Sequence, residues 1–482
     1  MRTWNKTLTI LAALALATVG IACGDATEKN DTGGTGGSGA TGGTGGTGGT
    51  GGTGGTGGTG GSVEPERIDV ANDVTSDTTW TANNVYELDG RIFVKNGATL
   101  TIEPGTRIEG NDGTALIVTR GSKIMADGSR EAPIVFTATD PDGDGRYPGD
   151  WGGLILLGNA PINTDGGVNS IEGFPAAAGA DIEYGGNDAD DDSGVLRFVR
   201  IEYAGWEYAP DSEINALTLG GVGRGTTLEY IQTHLGADDG VEFFGGTAEA
   251  KYVVVSRPDD DGIDWDLGWT GKLQFVVVQQ EALVGNYGYE SDNDGSNMDK
   301  SPRSKPTIFN ATLIGSDAAP GAAGKTQVGM MLHEGTGGIL KNHIVAHFAD
   351  FGIDVEHDAT TALFSTGDLV FADSIYFDNN AGSDFETTNT SVDKADKDNG
   401  FDEAAEFTAA AHGNRNVDPQ LTDALNLAAP NFLPKAGSPA LTGGATPPDD
   451  GFFDTTATFV GAFGTENWMD GWTDFPVLPE EM

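Results

Sequence analysis

The sequence predicts an all-β solenoid of the parallel β-helix type, and three observations carry that reading. First, a strand-like element led by glycine recurs. Its copies are Gly240-Val-Glu-Phe-Phe-Gly246, Gly262-Ile-Asp-Trp-Asp-Leu-Gly268, Gly288-Tyr-Glu-Ser-Asp292, Gly329-Met-Met-Leu-His333 and Gly352-Ile-Asp-Val-Glu356. The leading glycines stand 22, 26, 41 and 23 residues apart. Second, β-branched and aromatic runs accompany these elements, at 196–201, 228–231, 251–255, 273–278, 308–313 and 339–344. Third, apolar and polar residues alternate with period two, and helical periodicity is nearly absent. A period near 22–23 with two or three short strands suits one turn of a stack whose rungs lie about 4.8 Å apart. A β-propeller, with repeats nearer 40–45 residues, and a β-sandwich are the competing architectures.

Composition bounds the function. The 482 residues carry 73 acidic and 26 basic side chains, a formal net charge of −47. Such a surface repels phosphate and argues against a nucleic-acid partner. The single Cys excludes an intramolecular disulfide and a Cys-ligated zinc site. Hydrophobic residues, at 37%, suffice for a sizeable core.

Taken in order along the chain, residues 1–22 read as a signal peptide. Arg2 and Lys6 form its positive end, and Thr7 to Ala22 its apolar part, too short to span a bilayer as a helix. Val19-Gly20-Ile21-Ala22-Cys23 resembles the bacterial lipobox, which implies lipidation of Cys23. Gly20 stands where that pattern usually has Leu. An ordinary cleavable signal is the alternative. Residues 23–63 then hold Cys23 and a tether that is almost pure Thr-Gly-Gly from Asp31 to Ser62. With nothing to bury, such a chain is expected to be disordered, with a root-mean-square reach of roughly 30 Å. No other stretch of the sequence is long and apolar enough to cross a membrane. The expected address is the bacterial cell envelope, lipid-anchored at the outer membrane or cell surface.

Residues 64–482 form the repeat domain. Within it, 161–193 is Gly- and Asp-rich and reads as an insertion loop. Phe401 to His412 has helical spacing, suited to a short helix over the late coils. The segment Asn96-Gly-Ala-Thr-Leu-Thr-Ile-Glu-Pro-Gly-Thr106 resembles the first-coil motif of right-handed parallel β-helix proteins of the pectin-lyase-like class. Asn431-Phe-Leu-Pro-Lys-Ala-Gly-Ser-Pro-Ala-Leu441 resembles their last-coil segment. Phe459-Val-Gly-Ala-Phe463, with Trp468 and Trp472, is similar to the ending of bacterial secreted or lipoprotein β-helix proteins of unsettled activity. The resemblance covers about 64–482. It implies a single-stranded right-handed parallel β-helix with a C-terminal cap.

Candidate chemistry comes from aligning the glycine-led strands. Two residues after each glycine stand Glu242, Asp264, Glu290, Met331 and Asp354. Four residues after stand Phe244, Asp266, Asp292, His333 and Glu356. Alternation turns the intervening apolar residues inward and these outward. Stacked in register, Glu242, Asp264, Asp266, Glu290 and Asp292 make a carboxylate ladder with about 5 Å between neighbours. Each like-charged pair then costs about 0.8 kcal/mol at water's dielectric and about 3 at an effective value of 20. A Ca²⁺ ion, which favours six to eight oxygens, would remove that cost. A solvated acidic face is the alternative. Asp140, Asp142 and Asp144 have the opening spacing of a calcium loop, but Trp151 stands where an EF-hand needs Glu.

Enzymatic signals are thin. The family's polygalacturonases carry Asn-Thr-Asp and Asp-Asp motifs. Asn163-Thr-Asp165 and Asp190-Asp-Asp192 match them, but the later motifs are missing and both matches fall in the insertion. Arg303 or Lys305 could supply a lyase base beside Glu290 and Asp292. Trp206, Trp269, Tyr287 and Tyr289 are candidate sugar-stacking aromatics. The leading expectation is a surface-anchored lipoprotein that binds an extended ligand, a glycan, along a cation-lined strip. The alternatives are a calcium-dependent polysaccharide lyase or glycoside hydrolase, and a non-binding acidic envelope spacer.

Overall fold

A computed structural model describes residues 65–481, apart from 142, 175, 209–213, 320–324, 386–397 and 399. The signal segment, Cys23 and the Thr-Gly-Gly tether lie outside the described residues, as does Asp142. No described helix is long and apolar enough to cross a membrane.

The chain winds into a right-handed parallel β-helix. A 16-stranded sheet and a 9-stranded sheet run the length of the stack. Their pairings are parallel and join each strand to its counterpart one turn on, as in Val241↔Ile263 and Ile231↔Val253. The larger sheet turns a corner. Its long strands Gly194–Glu202, Thr227–His234, Glu249–Ser256 and Lys272–Gln279 each hold one left-handed residue mid-strand: Phe198, Tyr230, Tyr252 and Phe275. That residue resets the inward–outward alternation, so Leu196 and Val199 both reach the core. A left-handed non-glycine residue costs roughly 1–2 kcal/mol. Aromatic stacking along the corner offsets part of it, with ring centroids 4.3, 4.3 and 4.9 Å apart from Phe198 to Phe275.

Inside, Val241, Phe243, Ile263, Trp265, Leu273 and Tyr289 belong to one continuous apolar core. The recurring glycine has a packing cause. A Cβ on Gly262 would stand 2.5 Å from the Gly288 carbonyl oxygen and 2.5 Å from Val278, and Gly240 and Gly329 are as crowded. The glycines therefore mark where one coil's backbone meets the next at a corner.

The insertion between strands Leu154–Leu157 and Gly194–Glu202 forms a small antiparallel pair and a 3₁₀ segment. The expected helix is Glu403–Phe407, capped by Asp402, whose carboxylate accepts the Ala405 amide at 2.8 Å. Its Phe407 packs on Phe371 and Phe385 of the late coils. The C-terminal segment is placed differently from expectation. Rather than covering the last coil, it runs back along the flank. Trp468 and Trp472 lie across the aromatic corner, Asn431–Pro434 pairs antiparallel with Leu421–Asp423, and Glu481 reaches Arg257. The corner rings offer apolar area that only a strap along the axis can bury.

Candidate functional site

The nine-stranded sheet carries two outward rows. Register along the first reads Phe93, Ile117, Ile155, Thr218, Glu242, Asp264, Glu290, Met331, Asp354. The second runs Leu157, Gly220, Phe244, Asp266, with Asp292, His333 and Glu356 one step beyond the last paired residues of their strands. Thus Glu242, Asp264 and Glu290 stack as the ladder geometry requires, and Asp266 stacks with Asp292.

The strip is not an open solvated face. Glu242 is only 7% exposed, and Asp264, Asp266, Glu290 and Asp292 are partly buried. The insertion and the loops after each strand wall it in: Tyr184 lies 5.9 Å from the Phe244 ring, and Asn163 donates to the Asn293 side chain at 2.9 Å. Outward-facing residues of a β-helix stay exposed only where no loop crosses them. Here the loops cross.

Two further acids join the strip, Asp239 and Asp261, each preceding a leading glycine. The Asp261 amide donates to Asp239 Oδ1 at 2.9 Å, and the Tyr287 amide donates to Asp261 Oδ1 at 2.5 Å. Ligand atoms of Asp239, Glu242 and Asp264 converge within 4.8 Å of one another. Their signal was in the sequence, as Asp-Gly at 239–240 and 261–262, but alternation alone does not point a residue at a corner into the strip. Asn215 also enters, donating its side-chain amide to Glu242 Oε2.

Burial first, then neighbouring carboxylates, hold Asp239, Glu242, Asp261, Asp264 and Asp266 well above the usual carboxylate range. No Lys or Arg among the described residues forms an ion pair with Glu242, Asp264 or Asp266. One oxygen of Asp264 and one of Asp266 are shielded from solvent without a hydrogen bond. Downstream the balance changes. Burial lowers the affinity of His333 for a proton, but Asp292 and Glu290 outweigh it and raise its pKa to about 10. Burial also pushes Glu290 up, yet the neighbouring His333 and Asp261 bring it below its ordinary value.

Other candidates do not assemble. Asp140 accepts the Gly145 amide at 3.2 Å as a turn, and Trp151 is fully buried with its indole N–H donating to the Glu202 carbonyl. Asp140 and Asp144 join no group of converging metal ligands among the described residues. Arg303 pairs with Asp299 and Lys305 with Asp368, each at 2.6 Å, so both cations are held in loops. Trp269 and Tyr289 are core residues with no exposure, because they fall on inward positions of their coils.

The pectate-lyase-like β-helix domain family matches residues 72–425 of this chain. The chain belongs to this family. No curated protein and no solved structure gave a significant match. In this pectate-lyase-like domain the acidic rows begin where the apolar rows of the same sheet end.

Proposed function

We propose that this pectate-lyase-like β-helix protein binds Ca²⁺ on the acidic strip and uses the bound ion to hold an extended, anionic polysaccharide. The observation that carries the reading is the stack of Glu242, Asp264 and Asp266, crowded by Asp239, with no basic side chain among the described residues paired to it. Two adjacent coils bring these oxygens together in a partly desolvated groove, where carboxylates repel one another unless a cation or protons intervene. An all-oxygen donor set suits a hard cation, and an ion left with open positions can bridge to sugar carboxylates. The regular rung spacing of the solenoid favours a ligand that is itself extended and repetitive.

Catalysis has less support. A lyase needs a base at the strip, and Arg303 and Lys305 are engaged elsewhere. The lipobox-like sequence ending at Cys23 and the Thr-Gly-Gly segment fit a lipid anchor and leash at the bacterial envelope. Exchanging Cys23 for Ser would then move the protein from the membrane to the aqueous fraction.

The decisive measurement is thermal melting of the purified, chelator-treated protein against Ca²⁺, followed by a glycan array with and without Ca²⁺. Binding to the folded state alone adds about 2.7 kcal/mol at a 100-fold excess over Kd, a rise of a few degrees for a large domain. Retention of polyuronates only with Ca²⁺ is expected. An unchanged melting point with Ca²⁺ sinks the metal reading. Unsaturated products formed from a polyuronate would move the protein to the lyase class.

A further inference from the structure

The strip changes chemistry at its downstream end. At Asp239, Glu242 and Asp264 every converging donor is a carboxylate. One turn past Glu290 and Asp292 an imidazole enters, because His333 follows Leu332, which pairs with Ser291, and so stands beside Asp292. Ligand atoms of Glu290, Asp292 and His333 lie within 4.8 Å of one another. His333 belongs to a second such group with Glu356 and His357 on its other side. Glu356 is 2% exposed and stacks on the strip one coil further on.

The contact between His333 and Asp292 is unusual. Nε2 and Oδ1 are 2.6 Å apart, and Nε2 is 3.5 Å from Glu290 Oε1. Both Nε2 and the Asp292 oxygen are shielded from solvent, and neither makes an aligned hydrogen bond. A hydrogen-bonded ion pair aims its N–H at the oxygen. Here ring nitrogen and carboxylate oxygen meet at the distance of a charge-assisted pair without that alignment, and a bound ion would replace the proton and part them. The Glu334 amide donates to His357 Nδ1 at 3.2 Å, so His357 flanks the group.

We propose that Glu290, Asp292 and His333 form a second metal centre, selective for a borderline transition ion of the Zn²⁺ class. Imidazole with carboxylates suits such ions, whereas Ca²⁺ takes oxygen donors. The assignment rests on reading the strip as a place for cations, and it divides the strip into a hard upstream site and a softer downstream one. The two sets abut on adjacent coils, with Asp264 paired in register to Glu290, so one protein would hold two classes of ion along one groove.

Co²⁺, which reports imidazole ligation through its visible d–d bands, is the probe. The full chain, stripped with chelator, should develop bands stronger than those of aqueous Co²⁺. One equivalent of Zn²⁺ should abolish them, and excess Ca²⁺ should not. His333→Gln and Asp292→Asn should each lose them, whereas the Asp264→Asn/Asp266→Asn double variant should keep them. Among the described residues, Asp317, His347 and Asp378 form the other His–carboxylate group outside the strip, so His347→Gln should also leave the bands intact. No bands in the wild type, bands unchanged in a folded His333→Gln, or bands that follow His347 would overturn the proposal. A Ca²⁺-dependent melting shift without Co²⁺ bands keeps the calcium reading and removes this one. Bands without any Ca²⁺ shift do the reverse.

Discussion

One outward row of one sheet holds two different surfaces. Over the early coils it reads Phe93, Ile117 and Ile155, and over the middle coils Glu242, Asp264 and Glu290. Backbone pairing is the same in both halves, parallel and in register. What differs is the cover. Ile162, Ile171, Ile182 and Tyr184 of the insertion close over Ala115, Ile117, Ile155 and Leu157 as a satellite core. Loops also shield the acidic half, but among the described residues no Lys or Arg pairs with Glu242, Asp264 or Asp266, and the first cation on the strip itself is His333. A β-helix side is therefore a neutral frame. It is made into core or into a site by which loop crosses it and what that loop carries.

The largest effect should come from exchanging the two chemistries. Ile155→Asp places an unpaired charge under the insertion, in a site with no exposure. The lost burial and the stranded charge together cost at least about 3–5 kcal/mol. Thermal melting should show a drop of several degrees or more, with any folded remainder keeping its Ca²⁺ response. A drop confined to about 1 °C would mean that the insertion does not seal this face.

The reverse exchange should stabilise. Asp264→Asn with Asp266→Asn should raise the melting temperature in chelator by relieving repulsion, and should abolish the gain of about 2.7 kcal/mol expected at saturating Ca²⁺. An equal Ca²⁺ shift in variant and wild type would place the ion elsewhere.

A smaller effect tests the spine between the halves. The acidic coils lead with glycine, as does the earlier coil of Gly153, whereas the equivalent register positions before Leu116 and Leu217 are Ala115 and Ala216. Gly262→Ala sets a methyl against the Gly288 carbonyl and Val278, an overpacking cost of about 1–3 kcal/mol. Urea unfolding should give that loss with an unchanged m-value.

The gentlest test is pH. Asp239, Glu242, Asp261, Asp264 and Asp266 bind protons more tightly folded than unfolded. Their protonation supports the fold below the unfolded carboxylate value of about 4, and that support is lost as pH rises through the raised folded values. In chelator, stability should therefore climb as pH falls from about 7 toward about 5. With Ca²⁺ present the slope should flatten, since the ion replaces the protons. A chelated protein that loses stability over this interval would contradict the burial of the strip.

Much of this was legible in the residues. The spacing of Gly240, Gly262, Gly288, Gly329 and Gly352 gave the coil length, and alternation gave the inward set of Val241, Phe243, Ile263 and Trp265. It also aligned all five ladder acids, and even placed His333 and Glu356 on the strip. Trp269 and Tyr289 were less readable, because an aromatic looks the same in sequence whether it stacks on sugar or on its neighbours. Asp239 and Asp261 were hidden at corners, where period two fails.

By itself the sequence determined the solenoid, its period, and which acids share a face, since each follows from local alternation and from glycines that only a stacked backbone demands. Tertiary structure alone decided the rest. It set how deeply the strip is shielded, that the C-terminal segment straps the flank instead of closing the end, and that His333 meets Glu290 and Asp292. These are contacts between segments tens to hundreds of residues apart, and no local pattern encodes which loop will cross which coil.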